Sequence, residues 1–152
     1  MAPGEIPRRR LGRTGLRVSA LGLNFAHEIP TEVVDFALDL GINYLDTARR
    51  YRGGAGETAL APILARRRDE VVLVSKWHRR GGDRSAQEIL AVLDRSLQAL
   101  GTDHLDIWLN DSVSQPEQAS GEPWLDAVER AREEGKVRFA GLSAWEGRLA
   151  EI

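Results

Sequence analysis

The feature that most constrains this chain is a regular alternation of short apolar segments with segments whose apolar residues recur at helical spacing. The clearest apolar run covers residues 70–76, and residues 89–100 after it carry isoleucine and leucine with a helical period. The same succession is found before and after these two segments, and Gly41, Gly101 and Gly135 end the helical ones. Such alternation is typical of βα units, whose strands build a parallel sheet.

The pattern predicts an N-terminal β-hairpin and five strands separated by helices. The hairpin covers residues 9–18, where charged and apolar residues alternate around a Thr-Gly turn signal. The predicted strands cover residues 19–24, 42–46, 70–76, 105–110 and 137–143. The predicted helices cover residues 32–40, 57–67, 86–100, 123–134 and 148–152, with loops at 77–84 and 111–121. Thr31 is the expected N-cap of the first helix, and Ser85 with Glu88 matches a capping box.

Two α/β architectures compete for this order of elements, an open doubly wound sheet and a (β/α) barrel. The doubly wound fold predicts a G-x-G-x-x-G loop after its first strand, which neither residues 21–25 nor the glycine cluster at 53–56 supplies. A barrel instead places functional side chains at the C-terminal ends of successive strands. Polar residues stand there in four predicted strands: Asp46, Lys76, Asn110 with Asp111, and Ser143. We therefore predict a partial (β/α) barrel of the TIM type, with about five parallel strands, flanking helices and the hairpin.

Length and composition limit the kind of protein this is. The 152 residues correspond to one domain, and 21 basic against 23 acidic residues give a net charge of −2, which offers no basic surface for nucleic acid. No apolar run reaches the roughly 20 residues that span a bilayer, and the first residues do not resemble a signal peptide. Cysteine is absent, which excludes disulfides and thiolate metal sites. We expect a single cytoplasmic domain over residues 1–152 that binds neither nucleic acid nor membrane.

Several segments, in order along the chain, resemble the aldo-keto reductase superfamily. They cover residues 10–19, 40–48 (LGINYLDTA), Tyr51 followed by Gly56-Glu57, 71–76 (VVLVSK), 96–106 and 135–143. The resemblance implies a (β/α)₈ barrel whose bottom is closed by the N-terminal hairpin. Such a barrel takes roughly 250 residues, whereas this chain covers the hairpin and five strands. We therefore expect a homodimer, or a partner chain that completes the barrel, with a truncated gene as the alternative.

The resemblance implies a catalytic role for three residues of this chain. The family's catalytic set is Asp, Tyr, Lys and His, and Asp46, Tyr51 and Lys76 match the first three. The family's His position falls on Asp111, so the imidazole is lost and a carboxylate stands where it would repel developing negative charge. Lys76 is notable because only two of the 21 basic residues are lysines, and a lysine supplies a compact ammonium.

The resemblance also implies where a nicotinamide cofactor would be held. The family's Ser-Asn pair after the fifth strand binds the nicotinamide carboxamide, and here it reads Ser143-Ala144, so Ser143 alone remains as a cofactor-binding candidate. Asn24 replaces a glycine of the family's first strand loop. Most family contacts to the cofactor's phosphates and adenosine come from later strands. We therefore expect that NADPH is not required.

We predict an enzyme that acts by acid–base chemistry on a small molecule bearing a carbonyl or hydroxyl group. A phenol beside an ammonium gives up its proton more readily, and a carboxylate keeps the ammonium charged. Tyr51 is then the proton donor or acceptor, tuned by Lys76 and Asp46, with Asp111 as a second acid or base. The first interpretation is a non-redox dehydration, cyclisation or isomerisation without a cofactor. The alternatives are an NADPH-dependent carbonyl reductase and a non-catalytic accessory protein, in which Asp46 and Lys76 form only an ion pair.

Further residues are candidates for the rim of the pocket. The candidate substrate contacts are Asn24, Trp77, His78, Asn110 and Trp145. Asn110 supplies a hydrogen-bond donor only if the strand register slips, because the pleat normally turns it away from the face of Asp111. Arg49, Arg50 and Arg52 either bind an anionic substrate or lie solvated in their loop. The three histidines share no metal-ligand spacing, so no metal is predicted.

Overall fold

The structure, a computed structural model, describes residues 6–79 and 84–144 and begins with an antiparallel hairpin. The hairpin consists of β1 (Arg8–Arg10) and β2 (Arg17–Ser19). A parallel sheet of five strands follows, in chain order β3 (Gly22–Asn24), β4 (Tyr44–Asp46), β5 (Val72–His78), β6 (Leu105–Val113) and β7 (Val137–Ala144). The α-helices are α1 (Thr31–Asp39), α2 (Ala55–Thr58), α3 (Ala61–Arg67), α4 (Ala86–Leu100), α5 (Pro116–Ala119) and α6 (Glu122–Glu133). The predicted fold class is confirmed.

Helix α4 shows how local sequence signals set an element of this fold. The Ser85 hydroxyl accepts a hydrogen bond from the Glu88 backbone N–H at 3.3 Å, and the Glu88 carboxylate accepts one from the Ser85 N–H at 2.9 Å. This is the predicted capping box, which satisfies two of the free N–H groups at the start of the helix. Gly101 ends the helix in the left-handed conformation, with φ 65°. Both ends of α4 were therefore correctly predicted.

The sheet separates two apolar layers of unequal size. The larger layer packs the helices against one face of the sheet, and fully buried members include Leu45, Leu73, Leu93 and Trp108. The smaller layer lies on the other face, where Leu16 of the hairpin segment packs with Val72, Val74 and Ile107. Helices on one face and a hairpin segment against the other are the arrangement that the barrel resemblance implied.

The hairpin is joined to the sheet by hydrogen bonds at a buried asparagine. Asn43 Oδ1 accepts from the Ser19 backbone N–H at 2.7 Å, and the Ser19 hydroxyl accepts from the Asn43 N–H at 2.9 Å. Asn43 Nδ2 also donates to the Arg17 carbonyl at 2.9 Å. Ser19 and Asn43 are buried, so the hydrogen bonds between them replace those that water would supply. The side chain therefore fixes where β2 lies relative to the start of β4.

Two predicted helix boundaries differ from the structure. Thr31 is the first residue of α1, and Pro30 occupies the N-cap position without a side-chain hydrogen bond. The helix predicted over residues 57–67 is divided into α2 and α3. The cause of the division is Pro62, which lacks an N–H and is accommodated only in the first turn of a helix, here that of α3. The helix predicted at 148–152 lies outside the described residues.

Two strands run further than predicted into segments that we expected to be loops. Strand β5 continues to His78 because Trp77 and His78 pair with Asn110 and Asp111 of β6. Strand β6 continues to Val113, with a change of register after Asn110. The strand ends were missed because these segments are polar and carry no apolar pattern. The hydrogen bonds between strands use backbone groups, which every non-proline residue carries whatever its side chain.

Large apolar side chains are exposed near both edges of the sheet. Leu21, Val33, Phe36 and Leu40 are exposed beside β3 and on α1, with Phe36 64% exposed. Leu142 is exposed on the opposite edge strand, β7. That a second copy or a partner chain covers these edges stays a prediction. Among the described helices, none is long and apolar enough to cross a bilayer, and a cytoplasmic location also stays a prediction.

We expect Leu93→Ala to lower the free energy of unfolding by about 2–5 kcal/mol, because it opens a cavity in the larger apolar layer. Leu93 is 0% exposed, whereas Leu125 on α6 is 51% exposed. The control Leu125→Ala should change the free energy of unfolding by no more than about 0.5 kcal/mol. Urea denaturation followed by circular dichroism measures both. Equal losses in the two variants would contradict the assignment of the core.

Candidate active site

Lys76 is the residue around which the candidate site is built. It lies near the end of β5 and is only 6% exposed. Its ammonium donates hydrogen bonds to a carboxylate oxygen of Asp46, to the Thr47 carbonyl at 3.0 Å and to the Tyr51 hydroxyl at 3.4 Å. The parallel register pairs Asp46 with Val74, so Lys76 follows two residues later on the same face and reaches back to Asp46. The structure therefore brings together the three residues that the resemblance singled out.

Asp46 is held from its other side by Asn24. Asn24 Nδ2 donates a hydrogen bond to Asp46 Oδ2, while Asn24 Oδ1 accepts one from the Ala26 backbone N–H at 2.9 Å. Asn24 and Asp46 are register partners in β3 and β4, which places their side chains next to each other. Asn24, which we predicted as a substrate contact, thus orients the carboxylate that pairs with Lys76.

Tyr51 begins a tight 3₁₀ turn whose glycines are needed for its path. Gly54 has φ 102°, a left-handed conformation that residues with a side chain rarely adopt. At Gly56 an added Cβ would lie 2.8 Å from the Phe25 carbonyl oxygen and 3.2 Å from the Tyr51 Cβ. Both glycines therefore let the backbone pass close to its neighbours while the phenol reaches Lys76.

A second ion pair lies next to Tyr51. Asp111 is 5% exposed in β6, and its Oδ2 accepts a hydrogen bond from Arg50 Nε at 2.6 Å. The guanidinium carbon of Arg50 is 5.2 Å from the centroid of the Tyr51 ring. The hydrogen bond that Arg50 donates to Asp111 raises the pKa of the Arg50 guanidinium above its usual value. The carboxylate that we expected to repel negative charge is thus neutralised by Arg50.

His78 lies beside the second ion pair, as the register partner of Asp111. Its Nδ1 is 3.6 Å from Asp111 Oδ2, which is too long for a hydrogen bond. This buried nitrogen has no hydrogen-bond partner within the described residues. The fold therefore places an imidazole on β5, directly beside the position on β6 where the family carries its histidine.

The other predicted contacts lie away from Tyr51. Trp77 is 4% exposed and stacks on a tryptophan of α6, with ring centroids 5.7 Å apart. Asn110 Nδ2 donates to the Gln118 carbonyl at 2.7 Å. Both side chains are on the helix-facing side of the sheet. Trp77 follows Lys76 and Asn110 precedes Asp111, and successive side chains of a strand point to opposite faces. Ser143 is half-buried on β7, and Trp145 lies outside the described residues.

A buried glutamate that the sequence analysis did not single out bonds to residues next to Tyr51 and Lys76. Glu57 is 0% exposed, and its carboxylate accepts hydrogen bonds from Arg49 Nη1 at 3.0 Å and from the Ser75 hydroxyl at 2.8 Å. It links the turn that carries Tyr51 to the strand that carries Lys76. The signal available in the sequence was the Gly56-Glu57 pair, which we used only as part of the resemblance.

The family comparison agrees with this geometry. The sequence model described as "Aldo/keto reductase family" matches residues 15–151. The chain therefore belongs to the aldo/keto reductase family, and the resemblance drawn from its motifs is confirmed.

Similar proteins place the chain more closely within this family. It is 29% identical to an uncharacterized oxidoreductase, YqkF, of Bacillus subtilis, covering 90% of this chain and 48% of that protein. It is 31% identical to L-glyceraldehyde 3-phosphate reductase of Escherichia coli, covering 93% of this chain and 46% of that protein. The solved structure of aldo-keto reductase AKR11C1 from Bacillus halodurans, in its holo form, is 29% identical with a TM-score of 0.81, covering 92% of this chain and 51% of that one. The chain thus spans about half the length of the curated relatives it matches.

The residues at the end of β7 do not fit the nicotinamide group that the family implies. Ser143 supplies one hydroxyl, but the next residue, Ala144, supplies a methyl group where a carboxamide needs a hydrogen-bonding partner. Among the described residues, no group of three or more histidines and carboxylates is arranged to hold a metal ion.

We expect Lys76→Met to lower the free energy of unfolding by about 3 kcal/mol, because it leaves the mostly buried Asp46 carboxylate without its charged partner. Asp46→Asn should also destabilise the protein, because a buried ammonium then lacks a counter-charge. The double variant should lose less than the sum of the two single losses, by at least about 1 kcal/mol. Chemical denaturation of the four proteins measures this coupling, and simple additivity would show that the pair does not act as a unit.

We expect the Tyr44 phenol to ionise at a higher pH than a free tyrosine. Burial raises the pKa of Tyr44, and the negative charge of Asp46 raises it further, because both disfavour the phenolate. The chain has two tyrosines, so ultraviolet titration of the Tyr51→Phe variant follows Tyr44 alone. Its midpoint should lie above about pH 10. A midpoint at or below that value would contradict the burial of Tyr44.

Proposed function

We propose that Tyr51 exchanges a proton with the oxygen of a carbonyl or hydroxyl group on a small molecule. The observation that carries this proposal is the cluster of the buried Lys76 with the half-buried Asp46 and Tyr51, in which the Lys76 ammonium is 3.4 Å from the phenol oxygen. An acid–base residue needs a proton that can leave and a charge partner that stabilises what remains. Tyr51 carries a hydroxyl proton and Lys76 lies beside its oxygen, in a part of the chain that also resembles the family's catalytic segments.

The proton would move at the Tyr51 hydroxyl. As a donor, Tyr51 gives its proton to the substrate oxygen, and the negative charge left on the phenol oxygen faces the Lys76 ammonium. As an acceptor, the same oxygen in its deprotonated, phenolate form takes a proton from a hydroxyl group and becomes the neutral phenol. Asp46 holds Lys76 in place in both directions, and Asn24 orients Asp46. Lys76 and Asp46 therefore act through Tyr51.

We propose a non-redox reaction, such as dehydration, cyclisation or isomerisation, as the first reaction class. It is supported by Ala144, whose side chain offers no hydrogen bond to a nicotinamide carboxamide, and by Asp111, a carboxylate next to the site that would act as a second acid or base once Arg50 releases it. Such reactions need one proton delivered and another removed, and two groups of different type suit that need. No cofactor is required in this proposal.

NADPH-dependent carbonyl reduction is the second candidate, and two observations favour it. Relatives at about this identity are named as reductases and oxidoreductases, among them L-glyceraldehyde 3-phosphate reductase of Escherichia coli. In addition, Arg50 neutralises Asp111, which removes the repulsion that a lone carboxylate would exert on negative charge developing at a carbonyl oxygen.

We expect Tyr51→Phe to reduce turnover at least about 100-fold, because it removes the proton that the reaction uses. Tyr44→Phe is the matched control, since it deletes the chain's other phenol, and it should leave turnover within about twofold of the original. The measurement follows aldehydes, ketones and hydroxy compounds by NMR in D₂O, with and without NADPH. Full activity of Tyr51→Phe would refute the assignment of the proton donor.

The NADPH arm of the same experiment separates the two reaction classes. Product or solvent-derived deuterium that appears without NADPH supports the non-redox reaction. Tight, stoichiometric NADPH binding in a calorimetric titration, with product formed only in its presence, would overturn it in favour of carbonyl reduction. Tyr51 is required in both cases, so the loss in Tyr51→Phe tests the proton transfer itself.

A further inference from the structure

A cavity lined by arginines lies between the Tyr51 turn, the end of β5 and helix α4. Its volume is about 450 Å³. Its described lining includes Arg49, Arg50, Arg84, Arg95, His78 and Trp77. No carboxylate is among the described residues that line it. A water molecule takes roughly 30 Å³ in the liquid, so the cavity has room for a small organic molecule as well as for an ion.

Two of these arginines are held by carboxylates that lie outside the lining. Arg49 is bound by Glu57, which is 0% exposed, and Arg50 is bound by Asp111, which is 5% exposed. Each bond fixes one side of a guanidinium, and a guanidinium has five N–H donors, so donors remain for a ligand. The arginines are therefore prearranged around the cavity, and less side-chain freedom is lost when an anion binds.

The cavity adjoins the proton-transfer site through two shared residues. Arg50 lines it and also lies 5.2 Å from the centroid of the Tyr51 ring. His78 lines it and lies 3.6 Å from Asp111. A ligand in the cavity would therefore contact Arg50 and His78, one beside the Tyr51 ring and the other beside Asp111.

We propose that this cavity binds the phosphate group of a small phosphorylated compound. Guanidinium groups match phosphate because their planar set of donors forms paired hydrogen bonds to two oxygens at once. Among the described residues, the lining has four arginines and no carboxylate, which suits a doubly charged group better than a neutral one. That the bound compound is the substrate rests on the proposed function, whereas the binding itself does not.

The test measures the binding of inorganic phosphate and of glycerol 3-phosphate to the intact chain by isothermal titration calorimetry at low ionic strength. We expect saturable binding of both compounds, no binding of glycerol, and weaker binding as salt is added. Arg95→Gln should weaken binding about tenfold, because it removes one charge-assisted contact to the anion. Arg132→Gln removes an exposed arginine from α6 and should leave the affinity within about twofold.

The outcomes separate this proposal from the proposed function. Tyr51→Phe should bind phosphate with unchanged affinity, so a loss of turnover without a loss of binding leaves the anion site intact. Equal weakening by Arg95→Gln and Arg132→Gln would mean that phosphate senses only the overall charge, and it would overturn the site. Failure of the original chain to bind either phosphate compound would overturn it as well, whatever the result for Tyr51.

Discussion

The burial of one ammonium group determines how the site is assembled. A charge removed from water is stable only where other groups replace its hydration. Lys76 meets this condition with Asp46, the Thr47 carbonyl and the Tyr51 hydroxyl. These partners belong to the strand before β5 and to the turn that follows that strand. The need to satisfy a single buried charge thus connects two βα units at the C-terminal ends of their strands, β4 and β5.

The sequence allowed the strands and the grouping of Asp46, Tyr51 and Lys76 to be predicted, and physical reasons explain why. Apolar strands between amphipathic helices fix the sheet direction, and in a parallel sheet the C-terminal ends of all strands lie on one edge. Asp46 and Lys76 follow apolar runs, so their proximity follows from the architecture. That Tyr51 completes the group came from the family's motif, because a residue in an irregular turn has no periodicity from which its direction can be predicted.

The contacts around Asp111 could not be predicted in the same way. Arg50 and Asp111 are 61 residues apart, and whether a long side chain reaches a given carboxylate depends on the path of the turn. Strand β6 ran past its predicted end, so Asp111 lies within a strand and beside His78. Asn110 illustrates the opposite case, because the pleat alone correctly turned it to the helix-facing side. Alternation along a strand is encoded locally, whereas ion pairs between distant segments are not.

The two ion pairs around Tyr51 explain how a carboxylate is tolerated where the family has an imidazole. Lys76 with Asp46 and Arg50 with Asp111 are each neutral as a pair, so the surroundings of the phenol carry no net charge from these four groups. The effect on the phenol oxygen then depends on which charge is nearest to it. The Lys76 ammonium lies 3.4 Å away, and its partner is the Asp46 carboxylate. A change from His to Asp at position 111 alone would alter that balance. Together with an arginine at position 50, it preserves the balance and adds a guanidinium to the edge of the site.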